Sequence, residues 1–367
     1  MKIQKIVIFF PLFFKGGMEK VITTILDSFE NYHLEILFIT YKKNVHLKTH
    51  NKNVRIITPN LKKNYVELSN FKKIFLCLKE LIKILKIEDK NRTIIFSVQN
   101  SVLSIPVAKY FNYKIVVSNA TPIKAFFYMK NFFKQLIFLT FKLILYNFAD
   151  KIIVNSESNR KSLSTFILKK KKMIKIYNPI SFSNKIKIKK KKFQLLTVSR
   201  LTHDKGIHIL IKSIKKLNNN KIRLLILGDG DFKKKLKSLT YKLGIKKNVV
   251  FKGWVKNTEK YYKQSSIFIL PTLYEGFGNV LVEAMNYNLI CLSTKNSGGP
   301  DEILENGKNG FLFKKNDVHQ LKDKIQFCLT NKKLVNLKLK NAKNSLKRFN
   351  KKKIIYQYYK TLCLFNK

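Results

Sequence analysis

The chain has 367 residues and carries 74 basic against 21 acidic side chains, which gives a formal net charge of +53. Its length predicts two domains, each large enough to bury a hydrophobic core. Because 45% of the residues are hydrophobic and 13% are aromatic, the composition excludes a disordered polybasic chain, which has too little apolar surface to fold.

The first half of the chain alternates short apolar runs with longer helical patterns. It opens with a basic residue and an apolar run, as a signal peptide does. No small-residue cleavage site follows, so we interpret the run as a buried first strand. No stretch of about 18 uncharged apolar residues occurs, so we expect no membrane span. The predicted strands are 3–10, 34–40, 54–58, 93–98, 114–118 and 151–155, and the clearest helices are 18–29 and 71–86.

A lysine-rich stretch at 185–192 has little core-forming pattern and is the predicted linker. The alternation resumes after it. Near-continuous apolar strands separated by helices are typical of parallel sheets that are covered on both faces. The sequence therefore predicts an α/β protein with two doubly wound, Rossmann-like halves that face a central cleft. The strands of the second half are 193–199, 223–227, 249–251, 267–270 and 289–293, with a helix at 208–217.

Two glycines, Gly16 and Gly17, follow the first strand and precede a helix. Ligands of open α/β sheets bind beyond the carboxyl ends of the strands, so this position is of interest. Glycines let the backbone approach a ligand closely, and a helix amino terminus favours an anion such as phosphate. The alternative is a tight strand-to-helix turn without a ligand.

Two cations, Arg200 and Lys205, come directly after the first strand of the second half, within the run SRLTHDKG. Both are expected to emerge at a strand end that faces the cleft. Two fixed cations suit a diphosphate, whose charge must be neutralised as it leaves. The alternative is a pair of solvated charges in a lysine-rich protein, but arginine is scarce in this chain.

A glycine-rich loop follows the strand 267–270 and carries Glu275, and the helix after it carries Glu283, eight positions further on. Carboxylates at these places are suited to accept hydrogen bonds from sugar hydroxyls and from a ribose diol. The backbone N–H groups at the start of the helix form an anion cradle. Gly276 and Gly278 expose these N–H groups, and Phe277 and Asn279 complete the predicted donor-binding loop.

No metal site is predicted. Asp229 and Asp231 form an Asp-X-Asp pattern, but a turn that leads into the next helix explains it without a metal. The histidines that flank Lys205, His203 and His208, have no evident partner. The four cysteines are scattered, which argues for a reducing cytosol and against a disulfide framework or a zinc site.

The segment 125–148 interleaves many phenylalanines with a few lysines, among them Lys142. One interpretation is a buried core helix whose lysines extend to the surface. The favoured interpretation is a helix in a membrane interface, with its apolar side in lipid and its lysines on head groups.

Taken together, these motifs resemble glycosyltransferase family 4, the retaining group 1 type with the two-domain GT-B fold. The matching runs are GG at 16–17, SRLTHDKG at 199–206, GDG at 228–230, EGFGNVLVEA at 275–284, GGPDEIL at 298–304 and NGFL at 309–312. They cover nearly the whole second half. The first half matches by its pattern and by IYNPI at 176–180, as is expected where acceptors vary.

The resemblance implies that the chain has three structural parts. Residues 1–180 are an acceptor-binding domain, 181–345 are a nucleotide-sugar-binding domain, and 346–367 are a carboxyl-terminal helix that packs back on the first domain. Roles follow as well: Arg200 and Lys205 bind the nucleotide diphosphate, Glu283 binds the ribose and Glu275 contacts the donor sugar. The backbone of Phe277 and Gly278 lies nearby, and Gly16 and Gly17 face the phosphates.

One departure from the family concerns the strand 114–118, after which many members carry a histidine close to the donor sugar. This chain has Ser118-Asn119-Ala120 there. The resemblance therefore does not identify the sugar-side group of the first half, for which Asn119 and Gln99 are the candidates. Such enzymes need no metal or other cofactor, because the nucleotide-sugar is a substrate.

We therefore expect a cytoplasmic glycosyltransferase, peripheral on the inner face of the membrane. It would move a sugar from a nucleotide-sugar, with UDP the expected nucleotide, to a glycan or lipid-linked acceptor of a surface polysaccharide or lipopolysaccharide. Alternatives are a GT-B nucleotide-sugar epimerase, an inactive relative, or a basic protein that binds membranes or nucleic acid. Specific nucleic-acid binding is not expected, since the lysines are spread along the whole chain and no recognised module is present.

Overall fold

The computed structural model of the chain describes residues 3–13, 16–41, 49–60, 68–99, 101–123, 132–182, 191 and 193–364. The predicted linker at 185–192 lies outside these residues except for Lys191, and so do residues 125–131 of the aromatic segment. The chain divides into two compact units. The first consists of Met1–Ser181 and Asn350–Lys367, and the second of Phe182–Phe349.

The first unit is built on a parallel sheet, which has seven strands within the described residues, in the order β3-β2-β1-β4-β5-β6-β7. The strands are β1 Lys5–Phe9, β2 Glu35–Ile39, β3 Val54–Ile57, β4 Thr93–Val98, β5 Lys114–Asn119, β6 Lys151–Val154 and β7 Met173–Lys175. The helices that cover it are α1 Gly17–Phe29, α2 Asn70–Ile87, α3 Ser104–Tyr110, α4 Phe132–Tyr146, α5 Glu157–Ser164 and the last helix of the chain, Lys351–Cys363.

Successive residues of a strand point to opposite faces of the sheet, so the first unit has two cores. In β1, Val7 and Phe9 pack in the core formed with α2, α3 and α4. Ile6 and Ile8 pack in the core formed with α1 and the last helix. The chain thus returns to the first unit after the second is complete, and its last helix buries Ile354 against this core.

The second unit has the same architecture, with six parallel strands in its described part, in the order β10-β9-β8-β11-β12-β13. The strands are β8 Gln194–Val198, β9 Arg223–Leu227, β10 Val249–Gly253, β11 Ile267–Leu270, β12 Ile290–Thr294 and β13 Phe311–Phe313. The helices of this unit are α6 Ile207–Leu217, α7 Lys233–Lys242, α8 Glu259–Gln264, α9 Asn279–Asn286, α10 Gly299–Ile303, α11 Val318–Thr330 and α12 Lys332–Ser345. The last helix of the chain, which belongs to the first unit, is α13.

The predicted parallel α/β architecture is confirmed in both units, and each predicted strand lies within two residues of an observed one at either end. The sequence did not predict β7, which has only three residues and follows a lysine run. None of the helices in the described part of the chain is long and apolar enough to cross a bilayer.

Candidate active site

The turn after β8 brings Arg200 and Lys205 to the carboxyl edge of the second sheet. A 3-10 turn, His203–Lys205, ends at Gly206, whose φ of 64° is left-handed, and α6 begins at the next residue. A Cβ at position 206 would lie 2.0 Å from the carbonyl oxygen of Pro271. Only glycine therefore allows this turn to pack against the segment that follows β11.

The loop after β11 is held on two sides by backbone hydrogen bonds. The N–H of Leu273 donates to the carbonyl of Asp204 at 2.8 Å, which joins the loop to the turn after β8. The N–H of Glu275 donates to the carbonyl of Ser297 at 2.8 Å, which joins it to the segment after β12. Because β8, β11 and β12 are neighbours in the sheet, three consecutive strand ends fix the position of Glu275.

Lys205 and Glu275 form an ion pair, with Nζ and Oε2 2.9 Å apart. The Lys205 residue is only 8% exposed, and Asp204 Oδ2 lies 3.7 Å from the same ammonium group. The two residues that the sequence assigned to separate parts of a ligand are thus in direct contact. An ion pair shielded from water holds both groups in place, since separating its partners would leave a buried charge unpaired.

Arg200 has a different environment from Lys205. Its side chain is exposed, and no carboxylate of the described residues forms an ion pair with it. The next residue, Leu201, is fully buried, and its N–H donates to the carbonyl of Asp229 at 2.9 Å. The backbone at Arg200 is therefore fixed by the core while its guanidinium stays available to an anion.

Glu283 lies on α9 and is held by a tyrosine that the sequence did not indicate. The Tyr262 hydroxyl donates to Glu283 Oε2 at 3.0 Å. The Tyr262 ring is fully buried and stacks on Tyr287 at a centroid distance of 5.4 Å. Burial, and after it the neighbouring Glu283 carboxylate, raises the pKa of Tyr262 well above its usual range. Tyr262 therefore stays a hydrogen-bond donor and orients the carboxylate.

The start of α9 is formed by the predicted glycine-rich loop. Gly278 has a left-handed φ of 100° at the amino-terminal cap, and Asn279 is the first helical residue. The Phe277 ring is buried and makes an edge contact with Phe349 at 5.8 Å. Phe277 is thus a core residue by its side chain. Phe277 and Gly276 contribute only their backbone groups to the start of α9. The start of a helix attracts anions.

The glycine pair of the first unit lies at the start of α1. Gly17 is the first helical residue, and the N–H of Gly16 is capped by Glu19 Oε2 at 3.2 Å. Both glycines are exposed. Gly16 has an extended backbone with φ near 171°, which any residue adopts, and a Cβ there would meet no protein atom within 4 Å. Packing within the protein therefore does not require glycine at position 16.

The two candidate sugar-side residues differ in accessibility. Asn119 ends β5 and is buried; its Oδ1 accepts a hydrogen bond from Lys142 Nζ at 2.8 Å, and its Nδ2 donates to the Thr121 carbonyl at 3.3 Å. Gln99 follows β4 with a left-handed φ of 59° and is partly exposed. Of the two, only Gln99 keeps a side chain that reaches the surface.

Asp229 and Asp301 both form contacts within the second unit. Asp229 Oδ2 pairs with Lys233 at 2.7 Å, and this contact lowers the pKa of the Asp229 carboxyl. Asp301 caps α10 by accepting hydrogen bonds from the N–H groups of Ser297 and Gly298. Within the described residues no three His, Cys, Asp or Glu side chains come together as metal ligands would.

His203 and His208, the histidines that flank Lys205, form a small aromatic cluster with Phe232. The two rings stack on each other at 4.8 Å, and both meet the edge of Phe232. Burial, with smaller contributions from His203 and Lys212, lowers the pKa of His208 to about 4. The sequence missed this cluster because Phe232 lies 24 positions beyond His208, in the turn before α7.

Comparisons with known proteins find related sequences and a related fold. Residues 180–348 match the family model of the group 1 glycosyl transferases. An uncharacterized glycosyltransferase of Methanocaldococcus jannaschii is 32% identical over 63% of this chain, a match that spans only 62% of that relative's length. A Campylobacter jejuni enzyme is 27% identical over 96% of this chain and 97% of its own length. It is named N-acetylgalactosamine-N,N'-diacetylbacillosaminyl-diphospho-undecaprenol 4-alpha-N-acetylgalactosaminyltransferase.

Among solved structures, Anabaena Alr3699/HepE in complex with UDP and glucose matches with a TM-score of 0.80, over 98% of this chain and 99% of that chain. At 18% identity this likeness shows the fold, which is GT-B. The matched family model and the named relatives are glycosyltransferases, which supports this class of activity for the chain. The matched family model and these relatives support its place in the group 1 family.

Proposed function

We propose that this glycosyltransferase moves a sugar, with retention of configuration, from a UDP-sugar to a glycan or lipid-linked acceptor in surface polysaccharide or lipopolysaccharide biosynthesis. The observation that carries the proposal is the contact between Lys205 and Glu275 at 2.9 Å, beside an Arg200 that no described carboxylate neutralises. A cation pair suited to a diphosphate and a carboxylate suited to a sugar thus lie at adjacent strand ends.

Each site residue then has a role set by its surroundings. Arg200 and Lys205 bind the diphosphate, since charge-assisted hydrogen bonds to phosphate are the strong ones. Glu275 accepts hydrogen bonds from hydroxyls of the donor sugar, and Glu283, oriented by Tyr262, accepts those of the ribose. The backbone at Gly276, Phe277, Gly278 and Asn279 adds N–H donors at the start of α9.

The first unit supplies the remaining contacts in this proposal. Gly16 and Gly17 present backbone to the phosphates, which agrees with the open space that a Cβ at position 16 would enter. Gln99 and Asn119 are proposed on the sugar side. Since Asn119 is buried and bonded to Lys142, Gln99 makes the direct contact and Asn119 shapes the edge behind it.

The proposed transfer proceeds on one face of the sugar. The bond between the anomeric carbon and the β-phosphate oxygen breaks, and the acceptor oxygen bonds to the same face. The proton of the acceptor hydroxyl passes to the leaving phosphate oxygen. Arg200 and Lys205 stabilise the negative charge that grows on the leaving UDP, the kind of electrostatic stabilisation that contributes most to many enzymes.

The UDP donor and the lipid-linked acceptor are supported by two similar proteins. The Anabaena neighbour holds UDP and glucose, and the name of the Campylobacter jejuni relative describes an acceptor carried on diphospho-undecaprenol. An acceptor of that kind lies in a membrane. We therefore propose a cytoplasmic protein that is peripheral on the inner, anionic face of the membrane and has no specific nucleic-acid partner.

We propose that the reaction needs no metal or other cofactor. Arg200 and Lys205 supply the charge that a metal would otherwise supply to the diphosphate, and Asp229 is neutralised by Lys233 at 2.7 Å. The measurement is transfer activity in the presence of a chelator. Unchanged activity supports the proposal, and a loss that added divalent cation restores contradicts it.

The decisive experiment offers UDP-, GDP- and ADP-sugars together with diphospho-undecaprenol-linked acceptors, and determines the anomeric configuration of the product by NMR. We expect transfer from a UDP-sugar with the donor configuration kept. The variants Arg200→Ala and Glu283→Gln are tested beside matched controls. The control for Arg200→Ala is Arg223→Ala, because Arg223 is exposed at the opposite, amino end of β9. The control for Glu283→Gln is Glu259→Gln. An inverted product, or epimerised donor without an acceptor, would contradict the proposal.

A further inference from the structure

The outer face of α4 and the turn after it carry large apolar side chains that are exposed to solvent. Ile137, Phe141, Ile144 and Phe148 follow one another at helical spacing, and all four are exposed, Ile137 to 71%. We call these four residues the α4 stripe. Side chains three and four apart lie on one face of a helix, so the stripe is a continuous apolar surface. Contiguous exposed apolar patches mark interaction sites.

The inner face of α4 is already occupied by the core of the first unit. Leu139, Leu143 and Tyr146 are buried there, and Lys142 points inward to Asn119 with only 2% of its residue exposed. The interpretation of Lys142 as a head-group contact is therefore wrong. Among the described side chains of α4, Lys142 is the only charged one, and most of the described side chains on both faces are apolar. Such a helix is typically buried on both sides.

A lysine-rich loop, residues 166–172, adjoins the carboxyl-terminal end of the stripe. Asn147 Nδ2 donates to the carbonyl of Phe166 at 3.1 Å, and its Oδ1 accepts from the N–H of Leu168 at 2.8 Å. Lys172 Nζ donates to the carbonyl of Asn147 at 3.0 Å. These bonds fix the loop beside Phe148, so stripe and loop form one built surface.

The loop carries an excess of positive charge. Lys169, Lys170 and Lys171 are consecutive and exposed, and Leu168 between them and the stripe is 87% exposed. They line a shallow pocket together with Asp150, Lys151 and Lys172. Asp150, the one carboxylate lining that pocket among the described residues, is already bound to Lys109. The pocket therefore presents ammonium groups, which suit a phosphate group.

We propose that the α4 stripe and the lysine loop together dock on an anionic membrane. The stripe enters the boundary between head groups and acyl chains, and the loop lysines contact lipid phosphates. An anionic bilayer surface has hydrocarbon next to negative charge. The protein surface has an apolar stripe next to positive charge, so the two are complementary. A second copy of the chain is the wrong occupant, because each copy would bring the same excess of lysines into the contact.

The placement of α4 relates this surface to the site of the first unit. From its inner face Lys142 reaches Asn119 at the end of β5, and the Tyr146 hydroxyl reaches the Gln99 carbonyl at 3.4 Å, at the end of β4. Docking through α4 would therefore hold the strand ends with the proposed sugar-side residues close to the membrane. The inferred docking depends on the proposed function in one respect only. The proposed function supplies its purpose, which is access to a lipid-linked acceptor.

The test measures the partition of the purified full chain onto vesicles of phosphatidylglycerol and phosphatidylcholine in equal parts, with phosphatidylcholine alone as the neutral reference. The loop variant changes Lys169, Lys170 and Lys171 to Ser, and its matched control changes the exposed Lys332, Lys333 and Lys340 of α12 to Ser. The stripe variant changes Phe141 and Phe148 to Ser, and its matched control changes the exposed Phe71 and Phe75 of α2 to Ser.

We expect the wild type and both controls to bind the anionic vesicles and not the neutral ones. The loop variant should lose affinity by about 100-fold, as three lysines near a membrane would contribute, and the stripe variant at least tenfold. Thermal unfolding and UDP binding of each variant, measured without vesicles, show that its fold and donor site are intact.

Three results would overturn the inference. The first is a wild type that does not bind anionic vesicles. The second is an equal loss in variants and controls, which would mean generic attraction to a basic protein. The third is a wild-type dimer that the stripe variant dissociates, which would make a second copy the occupant. Vesicle binding is measured without UDP or acceptor. A protein that does not bind vesicles can therefore still have the proposed transfer activity, and a protein without transfer activity can still bind vesicles.

Discussion

Lys142 is a buried ammonium whose titration should be visible in the stability of the protein. Its Nζ donates to Asn119 Oδ1 at 2.8 Å and lies 5.2 Å from the centroid of the Tyr146 ring. Burial lowers the pKa of Lys142 from 10.5 to about 7. In the unfolded chain the same group is in water and keeps its ordinary pKa, so the unfolded state binds the proton more tightly.

The sign and size of the effect follow from this difference. Between about pH 7 and pH 10.5 the unfolded state holds more protons than the folded state, so the free energy of unfolding rises with pH in that window. From about pH 7 to about pH 9.5 the free energy of unfolding should rise by about 3 kcal/mol because of this difference in proton binding. Below about pH 7 both states are protonated and the full penalty, about 5 kcal/mol, is present.

The perturbation is Lys142→Met, which keeps the length of the side chain and removes the proton. It leaves the Asn119 Oδ1 without this donor, at a cost of about 2 kcal/mol. The variant should therefore be more stable than the wild type by about 2 kcal/mol near pH 7, and close to equal near pH 9.5. Higher pH is avoided because burial also raises the pKa of Tyr146, and unfolded tyrosines would then ionise.

The assay is urea unfolding of the wild type and the variant at several pH values in this window. Lys83→Met, on the exposed side of α2, is the matched control and should parallel the wild type at every pH. Parallel curves for Lys142→Met and the wild type would refute the reasoning, because they would mean that Lys142 has the same proton affinity in both states.

Three further predictions concern the second unit. Gly206→Ala should destabilise the protein by about 3 kcal/mol or more in chemical unfolding, because φ is 64° and the new Cβ would lie 2.0 Å from the Pro271 carbonyl oxygen; a loss below about 1 kcal/mol would contradict this packing. Tyr262→Phe removes the hydrogen bond to Glu283 and should weaken UDP binding in calorimetry by about tenfold, whereas unchanged affinity would show that the carboxylate needs no support. Asp229→Asn should leave transfer activity unchanged with or without a chelator, and a metal-dependent loss would contradict its structural role.

The strands were predictable because a parallel sheet covered on both faces requires unbroken apolar runs. β4, β9 and β11 coincide with their predicted bounds. β7 was not predictable, since its three residues Met173–Lys175 carry too little pattern to distinguish a strand from a loop. The position of α4 as a helix was predicted, but which way Lys142 points depends on Asn119, a residue from another element.

Local motifs in the sequence indicate each candidate site residue, but the contacts between these residues were not predictable. Each motif is local in sequence, so Arg200, Lys205, Glu275 and Glu283 are all found by a strand end followed by glycines. The ion pair between Lys205 and Glu275 joins residues 70 positions apart and depends on β8 and β11 being neighbours. Tyr262 carries no local signal, because it acts through a carboxylate on another helix.

The central claim is that the carboxyl edge of the second unit binds the diphosphate of a UDP-sugar through Arg200. Titration calorimetry with UDP on the wild type, Arg200→Ala and the control Arg223→Ala tests it most directly. The account predicts that the wild type and Arg223→Ala bind alike, and that Arg200→Ala loses about 2 kcal/mol, roughly thirtyfold in affinity. Equal affinity of Arg200→Ala and Arg223→Ala for UDP, or no binding by the wild type, would contradict it.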